Sequence, residues 1–170
     1  SSNKVSEYIA ECREKGIKVL PPDINSSEDD FTVEDENIRF GLVAIKNIGR
    51  GFIRAVMAER GDRPFASFAD FCERMYGVDL NRRAIESLIR SGAFDSLGQK
   101  RAQLLRHYDV ILDDLASRRR RNVDGQLDLF GVDEVRHREV PMTKVPEFSK
   151  RELAVMEKET TGLYLSGHPM

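Results

Sequence analysis

The residues with the clearest chemistry stand together in the run Lys46-Asn47-Ile48-Gly49-Arg50-Gly51, with Arg54 close behind. None of them is a nucleophile or a proton shuttle; the chemistry they suit is anion binding. Gly49 and Gly51 carry no Cβ to hold another backbone away, and Lys46, Arg50 and Arg54 bring positive charge to the same point. If a helix starts here, the amides of Gly49, Arg50 and Gly51 are left unpaired in its first turn, where the helix dipole also favours negative charge. A phosphate group satisfies both.

Two elements must position that run. Leu42 and Ile45 sit three apart on a short first helix, while Ile53, Val56 and Met57 give the i, i+3, i+4 face of a second. Between them, Asn47 and Gly49 are residue types that accept left-handed or cramped backbone, and Ile48 can point inward to pin the turn against both helices. This arrangement is a helix-hairpin-helix. It predicts contact with duplex DNA phosphates through Lys46, Asn47, Ile48, Gly49, Arg50, Gly51 and Arg54, without reading of bases. The same residues would also make a glycine-containing αα-corner that only packs.

Composition sets the bounds. The 170 residues are 40% hydrophobic and 33% charged, enough to bury a core in one domain or two small subdomains. The net charge of -2 hides segregation: residues 1–40 hold ten acids against five bases, and residues 41–63 hold five bases against two acids. Cys12 and Cys72 lack CxxC spacing and no signal-peptide pattern opens the chain, so reduced thiols in a cytoplasmic compartment are expected. No apolar run approaches the roughly 20 residues of a membrane span, so no membrane partner is expected. His107, His137 and His168 show no ligand spacing, so neither a metal site nor a cofactor is expected in this segment.

The fold class expected is mainly α, with small helical domains, a tandem helix-hairpin-helix and one short β-hairpin. Val5, Tyr8, Ile9 and Cys12 mark an amphipathic helix over residues 3–15 that Gly16 can end. Residues 19–23, with Pro21 and Pro22, read as an extended connection, and residues 26–30 as a solvated acidic loop. The runs 31–33 and 38–40 read as a hairpin with Asn37 near its turn. Ser67 with Asp70 caps a helix carrying Phe68, Phe71, Cys72 and Met75, and Asn81 caps one carrying Ala84, Ile85, Leu88 and Ile89, closed by Gly92. These two form a second, degenerate hairpin whose turn lacks the paired small residues of the first, which favours a structural role.

Residues 99–118 give a long helix with Leu104, Leu105, Tyr108, Ile111, Leu112 and Leu115 on one stripe. The four arginines Arg118, Arg119, Arg120 and Arg121 follow it, as a solvated helix end or as a second contact to phosphate. Residues 122–146 lose all periodicity and form a long connection containing Gln126-Leu127-Asp128-Leu129-Phe130. Ser149 and Glu152 make a capping box for a short helix with Leu153 and Met156 that ends near Gly162.

The runs Ile17-Lys18-Val19-Leu20-Pro21-Pro22-Asp23-Ile24-Asn25, residues 38–49, residues 80–98 and residues 162–169 resemble the bacterial DNA polymerase III alpha subunits, the C family of replicative polymerases. The resemblance covers essentially the whole chain. It implies residues 1–40 at the end of the fingers with the β-hairpin, and 41–98 as the tandem helix-hairpin-helix that grips duplex DNA. It further implies a long helix over 99–121, a loop over 122–146 bearing the sliding-clamp motif, and a short helix and linker to a following domain over 147–170.

The implied parent is a DNA-directed DNA polymerase whose carboxylates lie outside this segment, so no catalytic residue is assigned and the segment alone is expected to be inactive. Its implied partners are duplex DNA, the bacterial sliding clamp, bound by Gln126, Leu127, Asp128, Leu129 and Phe130, and the remainder of the polymerase III holoenzyme. Asn47 stands where most helix-hairpin-helix motifs have glycine.

Three other readings compete. A base-excision glycosylase would place its lysine nucleophile where this chain has Gly51. A non-polymerase helix-hairpin-helix adaptor would bind DNA and another protein, and a damage-bypass paralogue of the alpha subunit would not be expected to carry a clamp motif in this loop.

Overall fold

The computed structural model describes residues 2–123 and 142–165. Its elements are α1 (Ser2–Glu14), β1 (Val19–Leu20), β2 (Thr32–Glu34), β3 (Asn37–Arg39), a 3-10 turn over Leu42–Ala44, α2 (Arg50–Arg60), α3 (Phe68–Tyr76), α4 (Arg82–Ser91), a second 3-10 turn over Asp95–Leu97, α5 (Arg101–Val123) and α6 (Lys150–Thr161). The mainly helical class therefore holds.

The sheet is larger than a hairpin. β2 and β3 are antiparallel through a two-residue turn in which Asp35 and Glu36 both take positive φ, as a tight hairpin of right-handed twist requires. β1 joins β3 in parallel, pairing Val19 with Ile38 and Leu20 with Arg39, so the order is β1-β3-β2. What reads as a connection before Pro21 is thus a strand. Two residues are too few to show a period, and the prolines that follow bound the strand rather than replace it.

The acidic loop is solvated at Ser26, Asp29 and Asp30, as expected, but it is anchored from within. Ser27 is fully buried and its hydroxyl donates to the Phe40 carbonyl at 2.7 Å, while the carbonyls of Glu28 and Asp29 accept from the N–H groups of Leu42 and Val43. The loop lies so close to the next segment that a Cβ on Gly41 would fall 2.4 Å from the Asp30 carbonyl carbon. Only glycine fits there. From the other side, the Asn25 side chain clamps the backbone of Phe65, donating to its carbonyl and accepting from its N–H. Arg60 turns inward from the last turn of α2 to the carbonyls of Ile24 and Ser27 and the carboxylate of Glu28.

The core is aromatic at its centre. Phe65, Phe68, Phe71 and Phe94 are all buried, and their edge-to-face contacts, with centroids 4.8 to 5.0 Å apart, join the start and length of α3 to the segment after α4. Each such ring is worth about 3–5 kcal/mol against truncation to alanine. Around them pack Ile53 and Val56 of α2, Ile85, Leu88 and Ile89 of α4, and Leu104, Ile111, Leu112 and Leu115 of α5. Tyr8 departs from the expected face of α1: Ile9 and Cys12 are buried but Tyr8 is 57% exposed.

Helix ends follow the sequence signals. Ser67 accepts from the Asp70 N–H, Asn81 from those of Arg83 and Ala84, and Ser149 with Glu152 forms a complete capping box. The start of α5 is capped from far away: the Glu147 carboxylate accepts from the N–H groups of Arg101 and Ala102 at 3.1 and 3.0 Å. The four arginines lie within α5, not after it. Arg118 reaches Glu73 and Asp114, Arg119 stacks on the Tyr76 ring at 5.2 Å, and Arg120 and Arg121 are exposed in the last turn.

Candidate nucleic-acid interface

The hairpin is built from the Leu42–Ala44 turn and α2. Its first element is a single 3-10 turn, shorter than a helix, with Leu42 and Ile45 both buried. Asn47 carries the one strained step, a left-handed φ of 66°, and its short polar side chain is among the few that tolerate it. Gly49 takes an ordinary extended conformation at φ -85° and ψ 159°, so its value does not lie in backbone freedom. Ile48 is half-buried against the core, as the inward pin requires.

Gly49 is the N-cap of α2. The first intrahelical bond runs from the Ile53 N–H to the Gly49 carbonyl, which leaves the N–H groups of Arg50, Gly51 and Phe52 without an acceptor among the described residues. The open donors therefore sit one residue later than the sequence suggests. In α3, α4, α5 and α6 a side chain fills this position, whereas α2 has no such cap. A Cβ at Gly49 or Gly51 would meet nothing within 4 Å, so the surface is open on the side-chain side of both glycines.

Lys46, Asn47, Gly49, Arg50, Gly51 and Arg54 are all exposed around this point. Among the described residues Lys46, Arg50 and Arg54 form no ion pair, while Arg39, Arg60, Arg74, Arg82, Arg90 and Arg101 each hold a carboxylate. Open amides, a positive helix end and uncommitted cations converge on one patch. Such a patch suits a phosphate monoanion in a polymer backbone.

The hairpin belongs to the helix-hairpin-helix motif family, which matches residues 16–104. The chain is a member of that family. Along its length it is also similar to the DNA polymerase III subunit alpha of Deinococcus radiodurans, 42% identical over 99% of this chain and 13% of that protein. The same subunit of Thermus aquaticus is 42% identical over 99% of the chain and 14% of its own length, and that of Saccharopolyspora erythraea is 38% identical over 100% and 15%. The chain thus spans about a seventh of the length of these relatives.

The second hairpin of this helix-hairpin-helix chain, α3 and α4, is closed where the first is open. Asn81 occupies the amides at the start of α4, and Arg82 beside it is drawn onto Asp109 and Asp113 of α5. Hydrogen bonding to Asp113, opposed by burial and joined by Asp109, raises the pKa of that guanidinium. Gly77, at the end of α3, faces the Arg119 guanidinium, whose Nη1 lies 3.4 Å from where a Cβ would stand. The proposed clamp residues Gln126, Leu127, Asp128, Leu129 and Phe130 lie outside the described residues.

Sequence reasoning misses the groups that hold the first hairpin in place. The Lys46 N–H donates to the Thr160 carbonyl at 2.7 Å, and the Asn47 amide lies 3.5 Å from the Ser87 hydroxyl. No short-range pattern links residues 114 or 40 positions apart. Among the described residues, no group of three His, Cys, Asp or Glu side chains is arranged to hold a metal ion, and no helix is long and apolar enough to cross a membrane.

Proposed function

We propose that this chain is the duplex-gripping segment of a bacterial replicative DNA polymerase, with the first hairpin holding backbone phosphate and the second serving as scaffold. The observation that carries the reading is the uncapped start of α2 beneath unpaired cations, in a chain whose relatives are DNA polymerase III alpha subunits. Backbone amides and long cations address phosphate rather than base edges, so binding is weak and blind to sequence. The parent polymerase carries out template-directed DNA synthesis in the cytoplasm; this segment contributes grip and no catalytic carboxylate.

The same reading gives residues 126–130 a tether. A polymerase held only by salt-sensitive phosphate contacts leaves its template often, whereas attachment to a ring around the duplex makes rebinding intramolecular. Leu129 and Phe130 are the proposed anchors in a hydrophobic pocket of the sliding clamp, Leu127 supports them, and Gln126 fixes register through its amide. Asp128 keeps the spacing between the two leucines.

Duplex affinity measured against salt tests the grip. Two or three neutralised phosphates give a slope of log K on log salt of about -0.9 for each. Salt-independent binding contradicts the proposal. Titration of the sliding clamp with the chain and with Leu129→Ala/Phe130→Ala tests the tether, with duplex binding followed in parallel. Unchanged clamp affinity in the double variant rules the tether out.

A further inference from the structure

α6 lies outside residues 16–104, yet its C-terminal turn touches the anion patch directly. The last carbonyls of a helix have no partner within it, and that of Thr160 is taken by the Lys46 N–H. This bond fixes the Ile45–Lys46 peptide plane, one residue ahead of left-handed Asn47, and so helps set the direction in which the chain enters the open amides at Arg50, Gly51 and Phe52.

α6 packs with Ala154 and Met156 buried, and a buried ion pair fixes its C-terminal half. The Arg101 guanidinium meets the Glu157 carboxylate at 2.8 Å, both side chains less than a tenth exposed, and the Asp95 carboxylate at 2.7 Å on its other side. Arg101 also donates to the Leu153 carbonyl of α6 at 3.5 Å. Within the last turn, Thr160 and Thr161 donate their hydroxyls to the carbonyls of Met156 and Glu157 at 2.8 and 2.6 Å, which stiffens the stretch between the ion pair and the Thr160 carbonyl.

We propose that Glu157 is a positioning residue for phosphate binding: its pair with Arg101 seats the end of α6, and the seated Thr160 carbonyl holds the Lys46 peptide in the geometry that presents the α2 amides. This rests on the reading of the first hairpin as a phosphate site. Through Glu157 and Thr160, α6 is then part of the DNA grip, not a linker beyond it. Glu157→Gln removes the charge on α6 while leaving Arg101 paired with Asp95, so it loosens the seat without stranding a buried cation.

The test is amide hydrogen exchange at Lys46 in the full chain, with duplex affinity at fixed salt, for the native protein, Glu157→Gln and Glu159→Gln, the last of which removes only a long, exposed pair with Arg90 at 3.9 Å. Glu157→Gln is expected to speed Lys46 exchange about tenfold, the loss of one hydrogen bond of ordinary net strength, and to weaken duplex binding several-fold. Amides inside α2, such as that of Val56, keep their protection, and Glu159→Gln changes neither readout.

Unchanged Lys46 exchange, or faster exchange with unchanged duplex affinity, overturns the proposal. Should Glu157→Gln not fold, native-state exchange of the unaltered chain in low urea decides. The Lys46 amide is expected to open in one unit with those of Met156 and Glu157, and an independent urea dependence overturns the coupling. Failure of the phosphate reading itself looks different, since Gly49→Asp would then bind duplex as well as the native chain whatever Lys46 does.

Discussion

A Cβ on Gly92 would stand 2.6 Å from the Arg101 Nη2. Gly92 closes α4 at φ 89°, and the guanidinium fills the space its missing side chain leaves. Burial alone would lower the pKa of Arg101, but Asp95 and Glu157 outweigh it and hold the group charged. Gly92→Ala therefore meets two penalties, the left-handed backbone and displacement of a buried ion, and should cost about 2–3 kcal/mol. Urea denaturation measures it; a change within about 0.5 kcal/mol, the range of an ordinary surface substitution, contradicts this packing.

Asn81→Ala separates the two hairpins. It removes the side chain that satisfies the Arg83 and Ala84 amides, so stability should fall by about 1 kcal/mol. Duplex affinity, corrected for any unfolded fraction, should not change. A loss of affinity comparable to that in a first-hairpin variant would assign the second hairpin a direct contact with DNA.

Cys72 gives a pH dependence with a definite sign. Burial, with a smaller contribution from Glu73, pushes its thiol well above the ordinary cysteine range. The unfolded chain loses the proton first as pH rises, so the contribution of this group to stability is complete below the ordinary thiol pKa of about 8.5 and declines above it, at no more than roughly 1.4 kcal/mol per pH unit. Alkylation at about pH 8.5, where an exposed thiol is half ionised, should leave Cys72 unlabelled in the native chain and label it in denaturant. Rapid native labelling at Cys72, located by mass spectrometry, contradicts its burial.

Much of this molecule can be read without its coordinates, because its signals are local. Ser67, Asn81 and Ser149 cap within three residues of themselves, and the stripes of α3, α4 and α5 repeat within a few turns. What escapes is held by long-range polar contacts. Arg60 and Arg101 look like surface arginines until their carbonyl and carboxylate partners are seen, and Glu147 caps a helix that starts 46 residues earlier. The Lys46–Thr160 bond is between backbone groups, so no residue type announces it. The anion patch is legible in type, with its donors displaced by one residue because Gly49 is the cap rather than the first helical residue.

Asn47 tests the geometry of the loop. Glycine adopts its φ of 66° without strain, whereas a β-branched residue does so at a cost of about 1–2 kcal/mol. Asn47→Gly should fold with near-native stability, and Asn47→Val should lose both stability and duplex affinity. Equal behaviour of the two variants in thermal melting would mean that the loop relaxes away from this conformation.

The central claim is that the start of α2 is left uncapped so that DNA phosphate can occupy it, and Gly49→Asp addresses it directly. The backbone at Gly49 is already that of an N-cap, and a Cβ there meets nothing within 4 Å. An aspartate should cap the amides itself, adding about 0.5–1 kcal/mol of stability while placing a negative charge where the phosphate would sit. Melting temperature and salt-dependent duplex affinity are measured on the same two samples. Gly49→Asp is predicted to melt higher and to bind duplex at least about tenfold more weakly, with a shallower dependence on salt. Unchanged duplex binding in a variant that folds and melts higher would contradict the claim.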